Sequence, residues 1–321
     1  INIIPETRAM EEEGRYSLQV GVRSPSKSLE SMPPLNITFL LDNSGSMAGE
    51  SINLAKSFIL AFVDVLRGED RVSLVTCNRS ARLVLSGRAA GPALYNKLSK
   101  EILPEISVND VTDLDKGIRL AYELAAKQAN YGGGAARQSG PQDQGKTERL
   151  HRLIVLSDGA ANAGELSLSV IGEHAEDSTG QGIYLAGVGF GEGFNDSLMN
   201  ALTDRGRGAY LFIDSEEEIG KVLSPDRFPS YFDLSFKDIR LKMQMPAGWK
   251  MEVFHGEQVS TVKSEVIPQY LGPGDQMIYH LELSTVKDPD AIGRDIFDFE
   301  LEYTPLGGNP ETKTVSITAS Q

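Results

Sequence analysis

The run Asp42-Asn43-Ser44-Gly45-Ser46 closes an apolar stretch, Asn36 to Leu41, and sets one carboxylate and two hydroxyls at alternate positions. Hard oxygens in that pattern, where a buried strand gives way to a loop, suit a divalent cation. Magnesium suits them best, because it holds oxygen at about 2.0–2.1 Å in near-octahedral geometry and keeps some of its water. Gly45 permits the tight curl that turns positions 42, 44 and 46 toward one point. The plainer reading of the pentapeptide alone is a turn opened by Asp42 and a helix capped by Ser46.

A second strand-like run, Leu153 to Leu156, ends in Ser157-Asp158-Gly159. Between the two lies Asn109 to Ile118, where Thr112 stands just before a helical pattern. Strands of a parallel sheet deliver their C-terminal ends to one edge, so these three loops are expected to meet there. Asp42, Ser44, Ser46, Thr112 and Asp158 then surround one ion. Two carboxylates only balance a divalent charge and the hydroxyls add none, so the ion stays electrophilic toward an incoming anion. A carboxylate from another protein is the natural last ligand, whereas full coordination by the chain's own carboxylates would close the site. Asp113 and Asp115, on either side of this helix start, read as cap and first-turn charges or as groups that tune the water around Thr112.

Together the three stretches resemble the von Willebrand factor type A domain. Its metal ion-dependent adhesion site consists of Asp-x-Ser-x-Ser, a Thr ahead of a helix, and an Asp that commonly precedes Gly. All three parts stand here in that order, and no ligand position departs from the pattern. The resemblance covers about residues 35–224. It implies that Ser44, Ser46 and Thr112 touch the metal directly or through water and that Asp42 and Asp158 balance its charge. It also implies that an Asp or Glu of a partner protein completes the coordination and that the module acts in adhesion or scaffolding without catalysis; the oxygen donors suit magnesium, with manganese or calcium as alternatives that can share such sites. The flanking β segments are similar to those of bacterial secreted or membrane-anchored relatives, which implies an extracytoplasmic place, periplasmic or at the cell surface. In family members with a mobile final helix, ligand capture shifts that helix; here the candidate for it is Ser215 to Leu223.

The elements that must position these residues alternate from Leu35 onward. Ser51 to Leu66 carries Ile52, Ala55, Phe58, Ile59, Phe62, Val63 and Leu66 at helical spacing, with Gly68 as a stop. Arg71 to Cys77 reads as a strand and Ala81 to Leu85 as a short one turning back beside it. Thr112 to Gln128 is an amphipathic helix, and Leu150–Leu156, Leu166–Asp177, Ile183–Val188, Asn195–Leu202 and Tyr210–Ile213 continue the alternation. This order predicts a doubly wound, mostly parallel sheet with a Rossmann-like α/β fold.

Competing chemistry finds weaker support. The segment from Gly140 to Thr147 matches G-x-x-x-x-G-K-[ST], but a polar, glycine-rich stretch precedes it and a strand follows it, so the helix that must meet the phosphates has no room. Gly187-Val188-Gly189-Phe190-Gly191 follows a strand without completing G-x-G-x-x-G, and a turn accounts for it. His151, His174, His255 and His280 form no H-E-x-x-H, and no G-x-S-x-G surrounds a nucleophile. A metal-dependent hydrolase, or a nucleotide-binding protein using the same carboxylates, is the alternative, but it lacks a general base beside the cluster.

Composition narrows the remaining classes. A length of 321 residues allows two domains, and 40% hydrophobic with 24% charged residues is ordinary for a soluble globular protein. A formal net charge of −14, from 45 acidic against 31 basic residues, disfavours nucleic acid as a partner. Cys77 is the single cysteine, so no internal disulfide exists, and its place in a strand reads as core. No stretch approaches the roughly 18 apolar residues of a membrane span. A first residue Ile1, not Met, is expected of a fragment or mature form.

From about Pro225 the pattern changes. Tyr231–Met245, Lys250–Phe254, Ser264–Tyr270, Gln276–Leu283, Arg294–Tyr303 and Thr312–Thr318 are extended, with Gly- and Pro-containing turns between them. They predict an antiparallel β-sandwich. Tyr16 to Arg23 alternates likewise and has no place in the parallel sheet, so it is expected to join the sandwich and make the metal-binding domain an insertion. The expected division is 1–34 as the N-terminal strand segment, 35–224 as the metal-binding domain and 225–321 as the sandwich. Trp249 is assigned to core packing.

Overall fold

A computed structural model describes residues 1–109, 111–132, 149–159, 183–191, 196–256, 259–266 and 268–319. The chain divides into two compact units, Ser28–Phe232 and the pair of segments Ile1–Lys27 and Asp233–Gln321.

The Ser28–Phe232 unit is built on a six-stranded sheet. After β1 (Asn2–Ala9) and β2 (Arg15–Arg23) of the other unit come β3 (Leu35–Asp42), β4 (Arg71–Cys77), β5 (Ala81–Ala89), β6 (Leu150–Ser157), β7 (Ile183–Phe190) and β8 (Arg207–Ile213), in the spatial order β5-β4-β3-β6-β7-β8. All neighbours are parallel except β4 and β5. Every residue of β3, β6 and β7 is buried, as expected of parallel strands covered on both faces. Helix α1 (Glu50–Val65) covers one face, where Phe39 meets Phe62 edge-on with ring centroids 5.3 Å apart. After α2 (Pro92–Lys97), α3 (Leu114–Gly132) covers the other face, where Leu40, Val75 and Cys77 pack with Ile118 and Ala121. Strand alternation places Asp42 on the Leu40 side, toward α3. Gly117 is what lets α3 lie so close: a Cβ there would stand 2.8 Å from Cys77 Sγ and 2.9 Å from Leu40 Cδ1.

The order matters for function. From β3 the chain crosses through α1 to β4 on one side and later returns through α3 to β6 on the other, so winding reverses between β3 and β6. In open α/β sheets ligands bind in the crevice outside the strand ends at such a reversal.

The second unit is a sandwich of two antiparallel four-stranded sheets. One has the order β1-β2-β12-β10; the other is β11-β9-β13-β14. Its strands are β9 (Phe236–Gln244), β10 (Trp249–Phe254), β11 (Gln269–Leu271), β12 (Gln276–Thr285), β13 (Ile296–Pro305) and β14 (Glu311–Thr318). β2 pairs with β1 and β12, and its Leu18, Val20 and Val22 share a core with Ile239, Phe297 and Phe299 of the facing sheet. The parallel-sheet unit is therefore inserted between strands of the sandwich. Trp249 lies in this core, 5.0 Å from Phe297, with Nε1 donating to Asp295 Oδ2 at 2.7 Å.

Several expected boundaries shift. Residues 28–34 belong with the parallel sheet, because Arg67 donates to the carbonyls of Leu29, Met32 and Pro33, and buried Asp70 accepts from Leu35 N at 2.7 Å. Past residue 224, α4 (Asp196–Gly206) and α5 (Glu216–Val222) are followed by α6 (Phe228–Phe232), a helical turn where an extended segment from Tyr231 was expected. Phe228 and Phe232 pack on Phe62 at 5.1 and 4.8 Å, which holds that turn in the parallel-sheet unit. The boundaries consequently fall at 27/28 and 232/233 in place of 34/35 and 224/225. β1 escaped the sequence reading because Pro5 interrupts it, yet β1 is an edge strand, where proline is tolerated. α2 and the turns of residues 98–105 that follow it also went unread. The expected helix from Leu166 to Asp177, the Gly140 to Thr147 segment and His174 lie outside the described residues.

Candidate metal centre

β3 and β6 run in register from Leu35 with Leu150 to Leu41 with Leu156, so Asp42 and Ser157 leave the sheet side by side. Ser157 Oγ donates to Asp42 Oδ2 at 2.7 Å and accepts from Gly159 N at 3.0 Å. Asp42 Oδ1 accepts from Ser44 N at 2.9 Å, which closes the tight turn that Gly45 continues. Thr112 Oγ1, two residues before α3, donates to the same oxygen at 3.4 Å. Ser44 Oγ and Ser46 Oγ are 3.0 Å apart. Asp42, Ser44 and Thr112 are buried, Ser46 is exposed and Asp158 is intermediate. The cluster thus opens to solvent on one side.

Burial pushes the Asp42 carboxyl up from the ordinary carboxylate range. Hydrogen bonds from Ser157 and Ser44 pull against this, while the nearby charge of Asp158 adds to it. The donors bonded to Asp42 are neutral ones. A buried carboxylate beside a second carboxylate is costly without a compensating cation, and a divalent ion would relieve both burdens.

The donor set fits such an ion. Among the described residues no group of three or more His, Cys, Asp or Glu is arranged to hold a metal; a metal at this cluster would rest on mixed hydroxyl and carboxylate oxygens, a donor set that suits magnesium, manganese or calcium. Adjacent ligands of an octahedron with bonds of about 2.1 Å stand about 3.0 Å apart, and the Ser44 and Ser46 hydroxyls already have that spacing.

The loops around the cluster are tied together by backbone bonds. Asn43 N donates to Cys77 O at 2.8 Å, and Asn109 N donates to Asn43 O at 2.9 Å. Asn43 Nδ2 donates to Ser107 O at 2.8 Å. Asp113 N reaches Asn78 O at 2.8 Å, and Cys77 Sγ donates to Asp113 O at 2.9 Å. Burial, with the charge of Asp42, pushes the Cys77 thiol up to about 12, so it stays a protonated donor. Sequence reading placed Asn43 and Ser157 within the motif stretches without a role there, and read Cys77 only as core. The available signal was their position at the C-terminal ends of β3, β4 and β6.

The other polar residues considered in the sequence serve elsewhere. Asp113 pairs with Lys116 and Asp115 with Arg119, both at 2.6 Å. His151 is buried against Asn36, and His255 and His280 stack on the sandwich at 4.7 Å. Ser215 caps α5, accepting from Glu218 N at 3.3 Å.

A family model for the von Willebrand factor type A domain matches residues 36–224. The chain belongs to this family. Its type A domain carries every residue of the candidate centre. Among similar proteins, the uncharacterized protein YfbK of Escherichia coli (strain K12) is 26% identical over 245 residues, which is 75% of this chain and 39% of YfbK. Mouse (Mus musculus) inter-alpha-trypsin inhibitor heavy chain H3 is 25% identical over 189 residues, 58% of this chain and 20% of that protein. The chain thus spans well under half of these relatives. The solved von Willebrand factor type A structure from Catenulispora acidiphila superimposes with a TM-score of 0.60 at 14% identity, covering 99% of this chain and 73% of that one. That likeness concerns the fold.

Proposed function

We propose that the type A domain binds a divalent cation, magnesium first and manganese or calcium in its place, through Asp42, Ser44, Ser46, Thr112 and Asp158. In this reading the cation captures an Asp or Glu side chain of a partner protein. The observation that carries it is the fully buried Asp42, bonded to neutral donors and within electrostatic reach of Asp158, near two hydroxyls one octahedral edge apart. Two carboxylates only balance a divalent charge, so the ion stays electrophilic toward an external carboxylate on the solvent-facing side where Ser46 is exposed.

The chain acts in this account as a non-enzymatic adhesion or scaffold module placed outside the cytoplasm. Membership of the type A family supports the interaction role. Among the described residues no helix is long and apolar enough to cross a membrane.

The test is retention of a carboxylate-bearing partner by the immobilised protein in magnesium, compared with EDTA and with Asp42→Ala. The reading requires loss in both. Retention that survives chelator and Asp42→Ala contradicts it.

A further inference from the structure

Thr112 is the one hydroxyl of the candidate centre that does not come from the β3 loop, so its position depends on what holds the segment before α3. That segment is anchored on both sides of Thr112. On the far side, Asp113 N is bound to Asn78 O and Asp113 O accepts from Cys77 Sγ. On the near side, the anchor is Asn43. Its Nδ2 donates to Ser107 O at 2.8 Å and its carbonyl accepts from Asn109 N at 2.9 Å. Its own N–H is bound to Cys77 O at 2.8 Å, so β3, β4 and the residue 107–109 segment converge on this one residue. Asn43 is 8% exposed and lies between Asp42 and Ser44, with its amide nitrogen committed to Ser107 O.

We infer that Asn43 is a positioning residue for the metal centre, whose amide fixes the Thr112 segment against the Ser44 and Ser46 turn and so sets the size of the oxygen cage. This inference rests on the metal-binding reading above. Its specific consequence is selectivity. Magnesium demands near-ideal octahedral geometry at about 2.0–2.1 Å, whereas calcium accepts looser sets of oxygens at about 2.3–2.6 Å. An amide that holds Thr112 in place therefore favours magnesium over calcium, and a purely structural asparagine would not alter the ratio.

The experiment is calorimetric titration of magnesium chloride and of calcium chloride into the whole chain, wild type and Asn43→Ala, with a thermal melt of each. Asn43→Ala is expected to lose about tenfold or more in magnesium affinity and markedly less in calcium affinity, as is usual when a supporting contact behind a ligand is removed. Equal losses for the two ions, or none, overturn the inference while leaving the metal site standing. Wild type that binds neither ion overturns the metal-binding reading and this inference with it. Asn43→Ser, whose hydroxyl is too short to reach Ser107 O, carries the same test if Asn43→Ala does not fold.

Discussion

Ser157 and Asp42 end neighbouring strands and share a 2.7 Å hydrogen bond, in which the hydroxyl donates to Oδ2 because it already accepts from Gly159 N. The bond satisfies one oxygen of a buried carboxylate and turns the other toward Ser44 and Thr112. Replacing Ser157 by Ala leaves that oxygen without its donor. The expected cost is about 1–3 kcal/mol of stability for a buried group left unpaired, read from urea melts in EDTA. An unchanged midpoint would show that Oδ2 finds another donor.

His151 gives the fold an acid sensitivity separate from the metal. Burial, with the charges of Arg152 and Arg149, pushes its imidazole down to about 4, and Asn36 Nδ2 lies 3.1 Å from its Nδ1. The unfolded chain takes up this proton near pH 6.5 while the folded chain does not, so stability is full above that pH. It falls as pH drops from about 6.5 to about 4 and then levels off, by at most about 3 kcal/mol. Denaturant midpoints across that range are expected to show this slope, and His151→Gln is expected to flatten it.

Cys77 is inert by the same physics. A buried thiol pushed up to about 12 and committed to Asp113 O holds almost no thiolate at neutral pH. The native protein is expected to resist a thiol reagent at pH 8 and to react with one equivalent in urea. Rapid labelling of the folded chain would mean that the α3 packing over Cys77 opens readily.

The meeting of the loops around Asp42 was legible because they stand at the ends of periodic elements. Asp42, Thr112 and Asp158 each follow or precede a strongly periodic element, and a parallel sheet must bring such ends to one edge. The alternation of Tyr16 to Arg23 likewise announced a sandwich strand, since one buried face enforces a period of two. What could not be read depends on contacts between distant residues. The helical turn at Phe228–Phe232 follows from packing on Phe62, and residues 28–34 are held by Arg67 and Asp70. Local pattern carries neither relationship. The role of Asn43 was hidden for a similar reason: an x in a motif declares nothing until its amide is seen to reach Ser107.

Heating the protein with and without magnesium or manganese shows whether the cluster around Asp42 binds a cation. A cation bound only by the folded chain, supplied at a hundred times its Kd, should add about 2.7 kcal/mol and raise the melting temperature. Asp42→Asn, which removes the buried charge, should melt no lower than wild type in EDTA and gain nothing from either metal. Wild type unmoved by both metals, or an Asp42→Asn variant stabilised as much as wild type, would mean that these residues hold no cation.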